Sequence, residues 1–187
     1  MTGVADGTRY DVARATRALA DRLGLPAYVA ICTDLLGGAP RDAHLDALPA
    51  LTGHDWGDGQ PVRDPAQWKD HWLRTWGARG LLHVWHDSDG RATTAVLDGL
   101  GDEHWRPAEM CLKVAARHDV AGAADAALPL LGHDLPRVRA QVLRCLAVTG
   151  DPADRAHTGA VDAALDDPDP AVARQAERAA AALARRA

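Results

Sequence analysis

The chain repeats itself, and that limits its fold more than any other feature. Four stretches align without internal gaps: Lys69 to Leu82 (KDHWLRTWGARGLL), Glu103 to Ala116 (EHWRPAEMCLKVAA), Asp134 to Ala147 (DLPRVRAQVLRCLA) and Pro168 to Ala181 (PDPAVARQAERAAA). They recur at offsets of 34, 31 and 34 residues, too short a unit to bury an apolar face alone, so each must stack on the next. In this register Leu73, Pro107, Val138 and Val172 form one column, Gly77, Cys111, Val142 and Ala176 a second, and Leu81, Ala115, Leu146 and Ala180 a third. The columns fall at i, i+4 and i+8, which predicts one buried stripe on each of four helices. Small residues in that stripe let partner helices approach closely.

Apolar residues recur at three- and four-residue spacing almost throughout, and no run of alternating β-branched residues interrupts them, so the fold class is all-α. Punctuation by Gly, Pro and Asp predicts helices over 8–23, 26–37, 41–51, 65–86, 90–100, 104–118, 121–131, 135–149, 153–166 and 169–185. Residues 52–64 (TGHDWGDGQPVRD) read as a surface loop carrying Trp56, and Asp64 before Pro65 as the cap of the next helix. The chain is 47% apolar, with no Phe and six Trp, enough for one core over 1–187.

A helix, a turn holding Asp and Pro, and a second helix opening on Val and Arg resembles the HEAT-repeat family, most clearly in LGHDLPRVRAQVLRCLAVTG (131–150) and LDDPDPAVARQAERAAAALA (165–184). The resemblance covers 65–187; residues 1–51 join by helical pattern alone. It implies an α-solenoid of about five antiparallel helix pairs, right-handed, whose second helices line a concave surface. Such a fold hosts many functions.

With the buried stripe fixed, the opposite face holds Trp72, Trp76 and Arg79; then Arg106, Met110 and Lys113; then Arg137, Gln141 and Arg144; then Ala171, Gln175 and Arg178. None is a carboxylate, although the net charge is −5. Arg79, Lys113, Arg144 and Arg178 make a basic column. Such a face suits an acidic peptide or a phosphate backbone, because guanidinium pairs with either and indole adds contact area. The competing reading is a solvated face in an Arg-rich chain. Trp68, Trp72 and Trp76 lie four apart, with Trp56 able to fold over them, and packing is weighed there against ligand contact. Arg74 and Arg139 form a separate column whose expected role is to pair with turn acids, Asp102 or Asp134.

Catalytic patterns are sparse. No phosphate loop, dinucleotide glycine pattern, nucleophile elbow or zinc-protease helix occurs. His83 and His86, with Asp87 and Asp89, come closest to a ligand cluster, but the spacing is weak and no metal is assigned. HEAT-like di-iron hydroxylases use His-Glu pairs, and this chain has no such dipeptide. HEAT-like alkylpurine DNA glycosylases use Trp, Arg and Asp on the concave face; here only Asp70 or Glu109 could supply the carboxylate. HEAT-like lyase chaperones that hold bilins have less still to identify them. Cys32, Cys111 and Cys145 lack paired spacing, which fits a reducing, cytoplasmic setting, and no apolar run is long enough to span a membrane. The expectation is therefore a scaffold without cofactor or catalysis that binds a protein or acidic peptide, nucleic acid being the alternative.

Overall fold

The structure, a computed structural model, describes residues 10–187, and there it is all helical: α1 (Val12–Leu23), α2 (Leu25–Leu36), α3 (Leu48–Thr52), α4 (His71–His83), α5 (Arg91–Leu100), α6 (Trp105–His118), α7 (Ala123–Ala127), α8 (Pro136–Thr149), α9 (Arg155–Ala163) and α10 (Pro170–Ala184). The expected helix start at residue 8 lies outside the described residues. No described helix is long and apolar enough to cross a membrane.

Helices α2, α4, α6, α8 and α10 pack each on the next in one row. Against this row lie α1 on α2, α5 on α2 and α6, α7 on α8, and α9 on α10. The predicted stripe is the seam: Leu73, Cys111, Val142, Ala115 and Leu146 are all buried, and of the twelve stripe positions only Ala180 is partly exposed. Gly77 shows why the stripe needs small residues. A Cβ there would stand 2.5 Å from the Cys32 carbonyl oxygen and 2.7 Å from the Leu36 nitrogen, so α4 crosses α2 backbone to backbone. Nearby, the buried Tyr28 hydroxyl donates to the Gly80 carbonyl at 2.9 Å.

Four segments depart from the expected helices, one of them 153–166, which becomes α9 followed by the 3-10 turn Ala164–Asp166. Residues 41–51 form a 3-10 turn, Arg41–His44, and then the short α3. Residues 121–131 become α7 followed by the 3-10 turn Leu128–Gly132. Asp64 does cap a turn, accepting from Ala66 N at 2.8 Å and Gln67 Nε2 at 2.9 Å, but that turn stops and α4 begins only at His71. Trp68 therefore precedes the helix on which Trp72 and Trp76 sit.

The Arg74 and Arg139 column locks the turns. Arg74 holds Asp102 through two bonds of 2.6 and 3.0 Å, and Arg139 holds Asp167 through two of 2.8 Å. Each aspartate also accepts a backbone N–H two residues on, from His104 and Asp169 respectively, so one carboxylate shapes the turn and anchors the neighbouring helix. The partner of Arg74 is as expected. Arg139 instead reaches forward to the next unit, and Asp134 contributes only its carbonyl, at 3.2 Å.

Candidate ligand-binding face

Trp72 is the second residue of α4, Trp105 and Arg106 open α6, and Arg137 is the second residue of α8. Because these helices are consecutive in the row, their first turns line up and four side chains meet. The Arg106 guanidinium lies 4.5 Å from the Trp72 ring and 4.4 Å from the Trp105 ring, and that of Arg137 lies 4.7 Å from Trp105. Each contact of this kind is worth about 0.5–1 kcal/mol at an exposed site, and more where water is excluded. Arg106 has no hydrogen-bonded or ionic partner for its guanidinium among the described residues, although it is half-buried.

Glu109, one helical turn after Trp105, is buried and sits between two cations. Its carboxylate accepts from Arg137 Nη2 at 2.9 Å on each oxygen and lies 3.0 Å from Lys113 Nζ. This holds Arg137 against Trp105 while 56% of the Arg137 side chain stays exposed. Further along, Arg144 is steered by two buried glutamines, donating to Gln141 Oε1 at 3.0 Å and Gln175 Oε1 at 3.4 Å. Glu109, Lys113, Arg137 and Arg144, with Asp169, border one open depression of about 560 Å³.

The face is thus narrower than the sequence suggests. Trp76 is only 4% exposed. The loop folds over it, with Trp56 at 5.9 Å in an edge contact and Trp68 at 5.7 Å. Trp56 is buried too, its Nε1 donating to Thr52 Oγ1 at 3.0 Å. Packing therefore accounts for Trp56 and Trp76, while Trp72 joins this cluster to the ladder of rings and guanidinium groups. Arg79 leaves the expected basic column, because its Nη2 donates to the Leu51 carbonyl. The Tyr10 hydroxyl donates to the Pro49 carbonyl beside it at 2.8 Å, so both side chains satisfy acceptors at the C-terminal end of α3. Gln141 is buried as a support for Arg144, Met110 packs against the core, and Arg178 and Ala171 are exposed on α10. Sequence reasoning misses Trp105, whose column lies beside the expected face; its place directly before Arg106 is the signal that could have found it.

Several described residues suited to other chemistry have partners within the fold. Asp87 caps α5, accepting from Ala92 N at 2.8 Å and Thr93 N at 3.3 Å, which takes it from any cluster with His83 and His86. Asp125, Asp154 and His157 do converge, but His157 Nδ1 accepts from Asp151 N at 3.0 Å. Neutral His157 then carries its proton on Nε2, which faces Asp125 Oδ1 at 3.0 Å, so the nitrogen nearest the carboxylates is a donor and not a metal ligand. Burial pushes the Cys32 thiol up to about 12 and those of Cys111 and Cys145 above their usual value, leaving all three as protonated core residues.

Compared with protein-family models, curated proteins and solved structures, the chain matches none.

Proposed function

We propose that the chain is a non-enzymatic interaction module, a HEAT-like α-solenoid that binds an acidic segment of a protein partner across Trp72, Arg106, Trp105 and Arg137. The observation that carries this reading is Arg106, a half-buried guanidinium held against two indoles with no acceptor of its own among the described residues. A cation fixed by ring contacts loses little side-chain freedom when a carboxylate docks, and its fork matches carboxylate geometry. Arg137, Lys113 and Arg144 extend the positive potential, with Glu109 setting the position of the first two. A protein partner is favoured over a nucleic acid because the chain carries a net charge of −5, which opposes a long, densely charged polyphosphate more strongly than a short acidic segment. The three buried, unpaired thiols support a reducing compartment such as the cytoplasm.

One observation favours the nucleic-acid reading, and with it a glycosylase-like activity: Glu109 places a carboxylate on the face beside Trp105, where the sequence offered one only on its flank. Both its oxygens are engaged by Arg137 and one also by Lys113, so its negative charge is largely spent before a cationic sugar could use it.

Fluorescence anisotropy separates the two. A labelled Glu- and Asp-rich peptide and a labelled duplex of about 20 base pairs are titrated at low and physiological salt. Saturable peptide binding, weakened about tenfold or more in Arg106→Gln, is expected. Tight, steeply salt-dependent duplex binding with no peptide binding would replace this reading with the nucleic-acid one and call for a base-excision assay.

A further inference from the structure

The rings of His71 and His104 lie 3.6 Å apart and within 2° of parallel, a stack that bridges the first turns of α4 and α6 beside the ladder. His71 also lies 5.3 Å from Trp72, and His104 lies 5.9 Å from Trp105, so the pair braces the same two indoles that hold Arg106. His104 does a second job. Its Nδ1 accepts the backbone N–H of Arg106 at 3.2 Å and thereby caps α6.

We propose that this histidine stack is a pH-sensitive latch on the ligand face: neutral, it holds Arg106 between Trp72 and Trp105; protonated, it releases Arg106. The proposal rests on the reading of that face as a site for an acidic protein segment.

The chemistry follows from the atoms. An Nδ1 that accepts a backbone N–H carries no proton, so neutral His104 keeps its hydrogen on Nε2. Protonation fills the Nδ1 lone pair, sets donor against donor at the helix cap, and puts a positive charge at the positive end of α6. With His71 protonated as well, two cations face each other across the stack. The surroundings do not absorb that charge. From α6 the pair faces Arg106, and from α4 it faces Arg74; from the turn between α5 and α6 come Asp102 and Glu103. Asp102 is taken up by Arg74 and the His104 N–H, and Glu103 also pairs with Arg74, at 3.3 Å. Asp70, which precedes His71, is held by Arg41 at 2.8 Å. Burial first, and then the neighbouring cations, accordingly keep both histidines below their ordinary 6.5.

The latch predicts the reverse of simple electrostatics. Protonating histidines makes the chain more positive, and an acidic peptide that felt only net charge would bind more tightly as pH falls. Release of Arg106 makes it bind more weakly.

Two readouts test this on the whole chain: binding of the Glu- and Asp-rich peptide at about pH 7.5 and about pH 5.5, and indole emission of the free protein titrated over the same range. Each is made on the wild type and on His104→Asn, which keeps a cap acceptor but cannot titrate. The expected result is a roughly fivefold or greater loss of affinity at the lower pH and a change in emission centred below about 6.5; in His104→Asn the affinity loss is absent and the emission change shrinks to what His71 beside Trp72 and His118 beside Trp85 contribute. An emission change that His104→Asn clearly reduces, with no peptide bound at either pH, would support the latch and refute the proposed ligand. Peptide binding that is unchanged or tighter at the lower pH, or a flat emission titration in the wild type, would overturn the latch; the wild-type titration decides this even if the variant does not fold.

Discussion

Replacing Gly77 with alanine tests the packing that sets the whole row of helices. In an exposed helix the substitution would stabilise by about 1 kcal/mol through helix propensity alone. Here the new methyl would stand 2.5 Å from the Cys32 carbonyl oxygen and 2.7 Å from the Leu36 nitrogen, both backbone atoms of α2. No rotamer can relieve such contacts, so α2 and α4 must separate by about 1 Å to restore ordinary van der Waals distances. Overpacking of this kind costs typically 1–3 kcal/mol, and separation also loosens the contacts of Leu35 and Leu73 along the seam. A cost at or above the upper end, less the propensity gain, leaves a net loss of about 2 kcal/mol, or a fall in Tm of about 4–8 °C for a chain of this size. Gly159 supplies the control. It is exposed inside α9, with nothing within 4 Å of the point where a methyl would stand, and alanine there should stabilise by about 0.5–1 kcal/mol. Both variants are compared with the wild type by calorimetry and urea unfolding. A Gly77→Ala protein as stable as Gly159→Ala would refute the backbone-to-backbone crossing.

Removing the indole of Trp56 by Trp56→Ala should cost about 3–5 kcal/mol, read from the urea midpoint, because the side chain is buried and covers Trp76; a loss under about 1 kcal/mol would mean that the loop is not part of the core. Arg139→Ala should cost about 1–3 kcal/mol by leaving a charged partner of Asp167 unmade, and it should also alter acid unfolding. In the wild type the Arg139 hydrogen bonds, helped by the Asp169 N–H, hold the Asp167 carboxyl below its usual 3.8, so that contribution is present above about pH 3.8 and fades as pH falls below it; in Arg139→Ala the fade should be smaller. Burial also holds His71, His83, His104 and His118 below 6.5. The unfolded chain then takes up protons that the folded chain refuses, so Tm should begin to fall as pH drops below about 6.5 and level off below the folded values, whereas a flat or rising Tm would contradict this.

The buried stripe is legible in the sequence because burial follows helical period directly: Leu73, Val138 and Val172 are fixed by spacing alone, whatever their neighbours do. The Arg74 and Arg139 column is legible for a related reason, since a long side chain next to a turn rich in Asp has few other acceptors. The exposed face is harder, because period fixes only the direction in which a residue leaves its helix. Arg79 and Lys113 share a column, yet one reaches the Leu51 carbonyl and the other Glu109. Trp76 shares a helix face with Trp72 but is covered by a loop whose path no periodicity describes. Trp105 enters the face because Arg106, its neighbour on α6, and Arg137, from the first turn of α8, both reach its ring, and the second contact depends on how α6 and α8 pack. Asp70, between the turn at Asp64 and α4, is held by Arg41 from a distant segment, a tertiary contact that spacing does not reveal.

Side-chain NMR of arginine Nε–H and tryptophan Nε1–H groups, followed while the Glu- and Asp-rich peptide is added, tests the central claim most directly. The ladder predicts that Arg106, Arg137, Trp72 and Trp105 shift together and saturate together. Arg74 and Arg139, committed to Asp102 and Asp167, and Trp56, committed to Thr52, should stay in place. Shifts confined to the turn arginines or to the exposed Arg178, with Arg106 unmoved at saturation, would show that the acidic ligand binds elsewhere and that the ladder serves only the fold.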